Sequence, residues 1–293
     1  MKATGLRKPK VFSRKSKGEI ALHIFVSLIF AAVAFSYVYI YVWAVIAGTK
    51  THTEIVTAPF ALPEAWHWRN FIDAFTKLEV NGKNFWDMLF NSIYWSVICV
   101  FVNQFTTIAF AYCCTKYEFP GHKLPYIIIL IMMTLPIYGN SGATYRLYSQ
   151  LGFIDSYAQI LAATAGFSMN FLIYRGYYKN VSWAYAEAAM MDGADEFKIF
   201  TKIMFPLAKP IFLSIYLSQW LSEWNSYSSG LIYHPNLPTL PVGIYQFNTE
   251  MLYRARLDIL FAACIVISIP AVILFTAFNK MLTTSVSLGG IKG

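Results

Sequence analysis

Apolar and polar positions fall along this chain in long blocks. Residues 20–48 contain no Asp, Glu, Lys or Arg. At about 1.5 Å of rise per residue such a run crosses the roughly 30 Å hydrocarbon core of a bilayer. Further blocks at 88–115, 124–145, 157–174, 211–233 and 259–279 predict five more crossings. The pattern predicts an all-α membrane protein: six transmembrane helices in one domain over residues 20–282, with a basic tail at 1–19 and a short tail at 283–293. The first block is too long for the apolar region of a signal peptide, about 7–15 residues. Tyr37, Tyr39, Tyr41 and Trp43 gather toward its far end, as in an interfacial aromatic belt. Pro136, Gly139 and Gly142 interrupt the third block, and Pro270 predicts a kink in the sixth.

One long stretch breaks the blocks. Residues 182–210 mix charged and apolar positions at helical spacing between two apolar runs. Ser182 can cap a first helix rich in alanine, Asp192-Gly193 ends it, and Asp195 can cap a second. Phe197, Phe200, Ile203 and Met204 predict one apolar stripe on the second helix, and Pro206 and Pro210 restrict how it continues.

The spacing inside that stretch is specific. Glu187-Ala188-Ala189, three residues, Gly193, nine residues and then Ile203-x-Phe205-Pro206 resembles the EAA loop of ABC-importer permeases. Phe205 stands where that family usually has Leu. Ser182 stands where the sugar-importer branch often has Pro, and Asp192-Gly193-Ala194 is similar to that branch. Weaker likenesses are Asn91-Ser92, Trp224-Asn225 and the terminal Gly290-x-Lys292-Gly293. The resemblance is to permeases of the maltose-type carbohydrate importers, and it implies the type I importer permease fold. It implies a coupling loop at 182–210, with Glu187, Ala188, Ala189, Asp192, Gly193, Ala194, Ile203 and Pro206 meeting an ATPase. It also implies the assembly: a second, different permease, two ATPase subunits that hold ATP and Mg, and an extracytoplasmic sugar-binding protein. The setting it implies is a bacterial or archaeal cytoplasmic membrane, crossed several times.

Composition agrees with lipid as the main solvent. Of 293 residues 57% are hydrophobic and 13% charged, against about 25% charged in soluble domains. The net charge of +8 is a matter of orientation. Sixteen of the 23 Lys and Arg lie in segments on the side of the N-terminus, which places both termini and the 182–210 loop in the cytoplasm. No basic patch with base-stacking aromatics lies outside the apolar blocks, so nucleic acid is set aside. No Gly-x-x-x-x-Gly-Lys-Ser/Thr loop is present, so this chain is expected to bind no nucleotide or other cofactor, and no catalytic constellation is evident. Cys99, Cys113, Cys114 and Cys264 read as buried thiols, with no metal spacing.

Polar residues inside the blocks are the candidates for a substrate path. Glu223 is the one acid well inside a predicted span, and it must face protein or water. Gln219, Glu223 and Ser226 share a helical face, with Trp220, Trp224 and Asn225 beside them. A stacking aromatic beside amide and carboxyl groups suits sugar hydroxyls. The same groups also suit interhelical hydrogen bonds. Ser92, Ser96, Asn103 and Thr107 form a second polar stripe, and Asn140 sits in the weak 138–142 stretch; for both, path and packing remain open. Three rival readings stand beside a carbohydrate importer: an importer of another solute, a proton-coupled secondary transporter using Glu223, and an intramembrane enzyme.

Overall fold

The computed structural model describes residues 17–135, 141–164, 167–254 and 256–289. Among these residues the structure is helical, with a single isolated bridge between Val80 and Lys83. In chain order the helices are α1 (Lys17–Gly48), α2 (His52–Thr57), α3 (Arg69–Lys77), α4 (Phe85–Lys116), α5 (Leu124–Thr134) and α6 (Ser141–Gln150). There follow a 3₁₀ stretch at Tyr157–Thr164, then α7 (Met169–Asn180), α8 (Ala184–Met191), α9 (Glu196–Trp224), α10 (Ser228–Tyr233), α11 (Leu240–Arg254) and α12 (Leu257–Gly289). Among the described residues four helices are long and apolar enough to cross a membrane: α4 and α9 throughout, and α1 and α12 over Gly18–Gly48 and Leu257–Phe278.

The predicted spans at 20–48, 88–115 and 259–279 lie within α1, α4 and α12. The others differ. The block at 124–145 is divided between α5 and α6, and that at 157–174 between the 3₁₀ stretch and α7. The block at 211–233 is divided: α9 ends at Trp224 and α10 begins at Ser228. There the Asn225 amide donates to Leu221 O at 2.7 Å, and the Ser226 N–H turns back to Glu223 O. Asn and Ser compete with the backbone in this way, so they end a helix that the apolar pattern alone would continue. The second helix of the 182–210 stretch, in contrast, does not stop at its prolines. A π-turn at Phe200–Met204 shifts the hydrogen-bond register ahead of Pro206, and α9 runs on through Pro206 and Pro210.

Two apolar cores hold the helices. One joins α3, α4, α9, α11 and α12 through Met88, Trp220, Trp224, Leu240, Ile259 and Ala263. The other joins α4, α7, α8 and α9 through Ile108, Tyr112, Phe171, Tyr178, Ile199 and Met204. The loop after α1 is tied down by its own polar groups. Thr51 and Glu54 form a reciprocal capping box, and Glu64 N–H donates to Glu54 at 2.9 Å. These amides hold the Glu54 carboxyl down at about 2, so it is ionised at any physiological pH. Buried Lys50 donates through Nζ to Ala58 O and Pro59 O.

Most of α1 is exposed, as a lipid-facing helix would be; it meets the body toward its end. Tyr41 Oη lies 3.0 Å from Ser268 Oγ, and the Trp43 ring is edge-on to Phe261. Gly48 lets the backbones of α1 and α12 approach closely, because a Cβ there would meet Ala262 N at 3.2 Å. Two of the three nearest atoms, Ala262 N and Cα, are backbone and cannot swing aside; the third is Phe71 Cζ, also at 3.2 Å. Gly48→Val is therefore expected to separate the end of α1 from α12 and lower the melting temperature in detergent, with an overpacking cost of about 1–3 kcal/mol. A differential scanning measurement on the purified protein checks it.

Candidate functional site

The central stretch of α4 is not a regular α-helix. Residues Tyr94–Cys99 form a π-turn, which inserts one residue into the helical count. One residue is about 100° of rotation, so the predicted stripe of Ser92, Ser96, Asn103 and Thr107 is split. Ser92 and Ser96 face one way and pack: Ser96 Oγ donates to Ser92 O at 2.6 Å, and Ser92 Oγ accepts from Leu240 N. Thr107 is fully buried and bonds back to Asn103 O. Asn103 alone of the four reaches the cavity beside α6 and the 3₁₀ stretch.

That cavity holds about 360 Å³ and lies between α4, α6, the 3₁₀ stretch, α9 and the segment around α10. Asn103 enters it from a chain of bonds. Its Nδ2 donates to Ala163 O at 2.7 Å, its Oδ1 accepts from Gln104, and Gln104 accepts from the buried Tyr174 hydroxyl. Gln219 and Glu223 line the cavity from α9, one helical turn apart. Trp95, Tyr148, Gln159 and His234 complete its polar and aromatic wall. The last four carried no local signal in the sequence; His234 was one scattered histidine among others.

His234 lies flat on Trp95, ring centroids 4.0 Å apart. Burial pushes its pKa down to about 4, against the pull of nearby Asp155, so the ring is neutral at physiological pH. Trp95 Nε1, Gln159 Oε1 and His234 Nδ1 are buried without a partner. Native interiors rarely leave such groups unmet, so a hydrogen-bonding partner would be accommodated at these three atoms.

The remaining candidates lie elsewhere. Trp220 and Trp224 are stacked and buried in the first core, and the Trp224 indole donates to Ile267 O at 3.3 Å. Asn225 borders a second cavity beside α12. Ser226 bonds Ser229 beyond the end of α9. Asn140 and the Gly290-x-Lys292-Gly293 tail lie outside the described residues. Asn91 is structural, accepting from the Tyr157 hydroxyl and donating to Pro238 O. Of the cysteines, Cys99 and Cys114 are buried, Cys264 is half-buried and Cys113 is exposed; all four are free thiols.

The loop of residues 182–195 keeps its local chemistry. Ser182 Oγ accepts from Ala184 N at 3.3 Å, and Asp195 Oδ1 from Lys198 N at 2.7 Å. Gly193 takes φ +74°, the left-handed conformation its position calls for. Ala186 and Ala189 face the chain's own core, whereas Glu187, Ala188 and Asp192 are exposed. Met191 and Phe197 stand out to solvent with relative exposures of 88% and 75%. Phe197 therefore leaves the stripe expected with Phe200 and Met204, which are buried. The π-turn that begins at Phe200 breaks that period. On the inner side, the Tyr117 hydroxyl donates to Glu196 Oε2, and Lys116 Nζ donates to Val181 O. These bonds fix the end of α4 to both sides of the loop.

Residues 120–288 match the family model described as binding-protein-dependent transport system inner membrane component. The match covers more than half of the chain. The chain belongs to that family. It is a multi-pass membrane permease. Among similar proteins, the arabinooligosaccharides transport permease AraQ of Halalkalibacterium halodurans is 26% identical over 90% of this chain and 94% of its own length. The diacetylchitobiose uptake permease NgcG of Streptomyces coelicolor is 23% identical, over 85% and 82%. The maltodextrin transport permease MdxG of Bacillus subtilis is 28% identical, over 67% and 72%. A chain of a bacterial ABC transporter that imports the acidic polysaccharide alginate has the same fold, with a TM-score of 0.75 and 21% identity, covering 92% of this permease and 99% of that chain.

In the permease, Asp155 anchors the segment that follows the cavity-lining Tyr233 and His234. Its carboxylate accepts from Asn236 N and Nδ2 at 2.7 and 2.9 Å, its N–H donates to Tyr233 O, and it sits at φ +52°. Asp155→Ala removes both charged bonds and leaves alanine in a left-handed conformation. The expected loss is about 1–3 kcal/mol, read as a lower melting temperature and faster amide exchange at residues 233–238.

Proposed function

We propose that this chain is one of two permease subunits of an ATP-driven importer in a prokaryotic cytoplasmic membrane. A binding protein outside delivers an oligosaccharide, and the path opens alternately to each side. The observation that carries the reading is the continuity of α9. A single helix of 29 residues, about 43 Å, runs from the loop at Glu196 to Gln219 and Glu223 in the cavity wall. A push at the loop moves the wall directly. The carbohydrate substrates named for the relatives support the choice of sugar, as do the amide, carboxyl and indole groups of the cavity. This chain is read as non-catalytic, with ATP and Mg held by two partner ATPase subunits, and its mate as a second, different permease.

Six crossings with both termini in the cytoplasm follow if α5 with α6, and the 3₁₀ stretch with α7, each make one passage. In a background without the four cysteines, Lys77→Cys should then react with an impermeant thiol reagent from outside intact cells, and Lys198→Cys should not. Labelling at position 198 from outside would reverse the orientation.

The loop's contact with an ATPase would rest on Met191, Phe197 and Tyr185 more than on the alanines, with Glu187, Ala188, Asp192 and Ala194 around them. Gly193 sets the angle between the two helices, and Ile203 and Pro206 secure α9 behind them. Burying a Met or Phe side chain contributes about 1.5–3 kcal/mol, so Met191→Asp and Phe197→Asp should each cut co-purification of the ATPase about tenfold or more while the permease stays in the membrane. Uptake should fall in parallel. Full recovery of the ATPase in both variants would remove the coupling assignment, and uptake that persists without any ATPase would favour a proton-coupled carrier.

A further inference from the structure

The charge of the cavity lined by Asn103 and Glu223 carries one more step, resting on its reading as part of a glycan path. Glu223 sets a carboxyl group in the wall beside Gln219 and Asn103. No Lys or Arg lines that wall, and the undescribed stretches 136–140 and 165–166 contain none. Among the described residues no ion pair engages Glu223. His234 is neutral, and with Trp95 it is more than nine-tenths buried. Trp95 Nε1, His234 Nδ1 and the Gln159 carbonyl oxygen are unpartnered, and hydroxyl or amine groups, which both donate and accept, would serve them. A carboxylate on the guest would instead meet Glu223 with no cation to offset it, and like charges in a wall of low dielectric repel strongly.

We propose that this cavity admits uncharged and amino-bearing glycan units and rejects uronates, with Glu223 as the discriminating residue. The fold shared with an alginate importer does not bear on this, since the likeness is one of architecture.

Cys99 lines the cavity and serves as a reporter. The test uses the complete, nucleotide-free transporter with Cys113, Cys114 and Cys264 changed to Ser. Cys99 is treated with trimethylammonium-ethyl methanethiosulfonate and with the sulfonatoethyl reagent, each rate normalised to a free thiol. The cationic reagent should react about tenfold faster or more, because a cleft of one sign concentrates counter-ions, and Glu223→Gln should bring the ratio toward one. Equal rates, a faster anionic reagent, or no reaction with either would overturn the proposal. Protection then reads the guest. Neutral malto-, xylo- and arabinotriose and the glucosamine trimer are compared with trigalacturonate as blockers of Cys99 labelling. At least one non-acidic trimer should protect, and trigalacturonate should protect only in Glu223→Gln. Protection of the unsubstituted Glu223 protein by trigalacturonate would overturn the selection while leaving the glycan path intact. Protection by none of the sugars, with the charge preference unchanged, would overturn the glycan path itself and this proposal with it.

Discussion

Inside a bilayer every freed backbone group must find its partner within the protein. This constraint shapes the centre of the permease, where several elements depart from regular helix around one cavity. Three of the backbone groups there are met by side chains from another element. The Tyr94 hydroxyl donates to Tyr157 O at the start of the 3₁₀ stretch, and Asn103 to Ala163 O near its end. The Tyr216 hydroxyl donates from α9 to Val97 O in the π-turn of α4. The hydrogen bonds that make irregular backbone tolerable are thus the ones that hold the cavity wall together.

The same economy links the cavity to the loop that follows α8. α4 and α9 each run from the cavity to the far end of the second core, and each is fastened there. Tyr117, the residue just past α4, bonds Glu196 at the start of α9, and its hydroxyl lies 3.1 Å from that of Tyr112 in the core. Close-packed cores transmit displacement and do not absorb it. A movement of the loop would therefore reach Asn103, Gln219 and Glu223 through two stiff members, as the alternation of access proposed above requires.

The cavity combines features with opposite costs. A carboxyl group without a cation and buried ring nitrogens without partners are destabilising in an empty protein. They are the sort of local conflict that folded proteins concentrate at functional sites. The apolar cores on either side compensate, through residues such as Met88 and Trp220 in one and Tyr178 and Met204 in the other.

The sequence by itself determined what depends on neighbours along the chain. Apolar blocks long enough to cross lipid marked α1, α4 and α12, and the Glu187–Pro206 spacing marked the loop. Gly193 and Asp195 took the turn and the cap that their residue types favour. Glu223 was legible because one acid in an apolar run has few places to go, and it does line the cavity. Tertiary structure alone decided the rest. The π-turn at 94–99 moved Ser92 and Ser96 off the face of Asn103, and no local pattern records one inserted residue. Trp220, beside Glu223 in the sequence, turned into the core, and His234, 139 residues from Trp95 in the chain, came to lie on it. Such outcomes rest on contacts between distant segments, whose geometry the order of residues along a single helix does not contain.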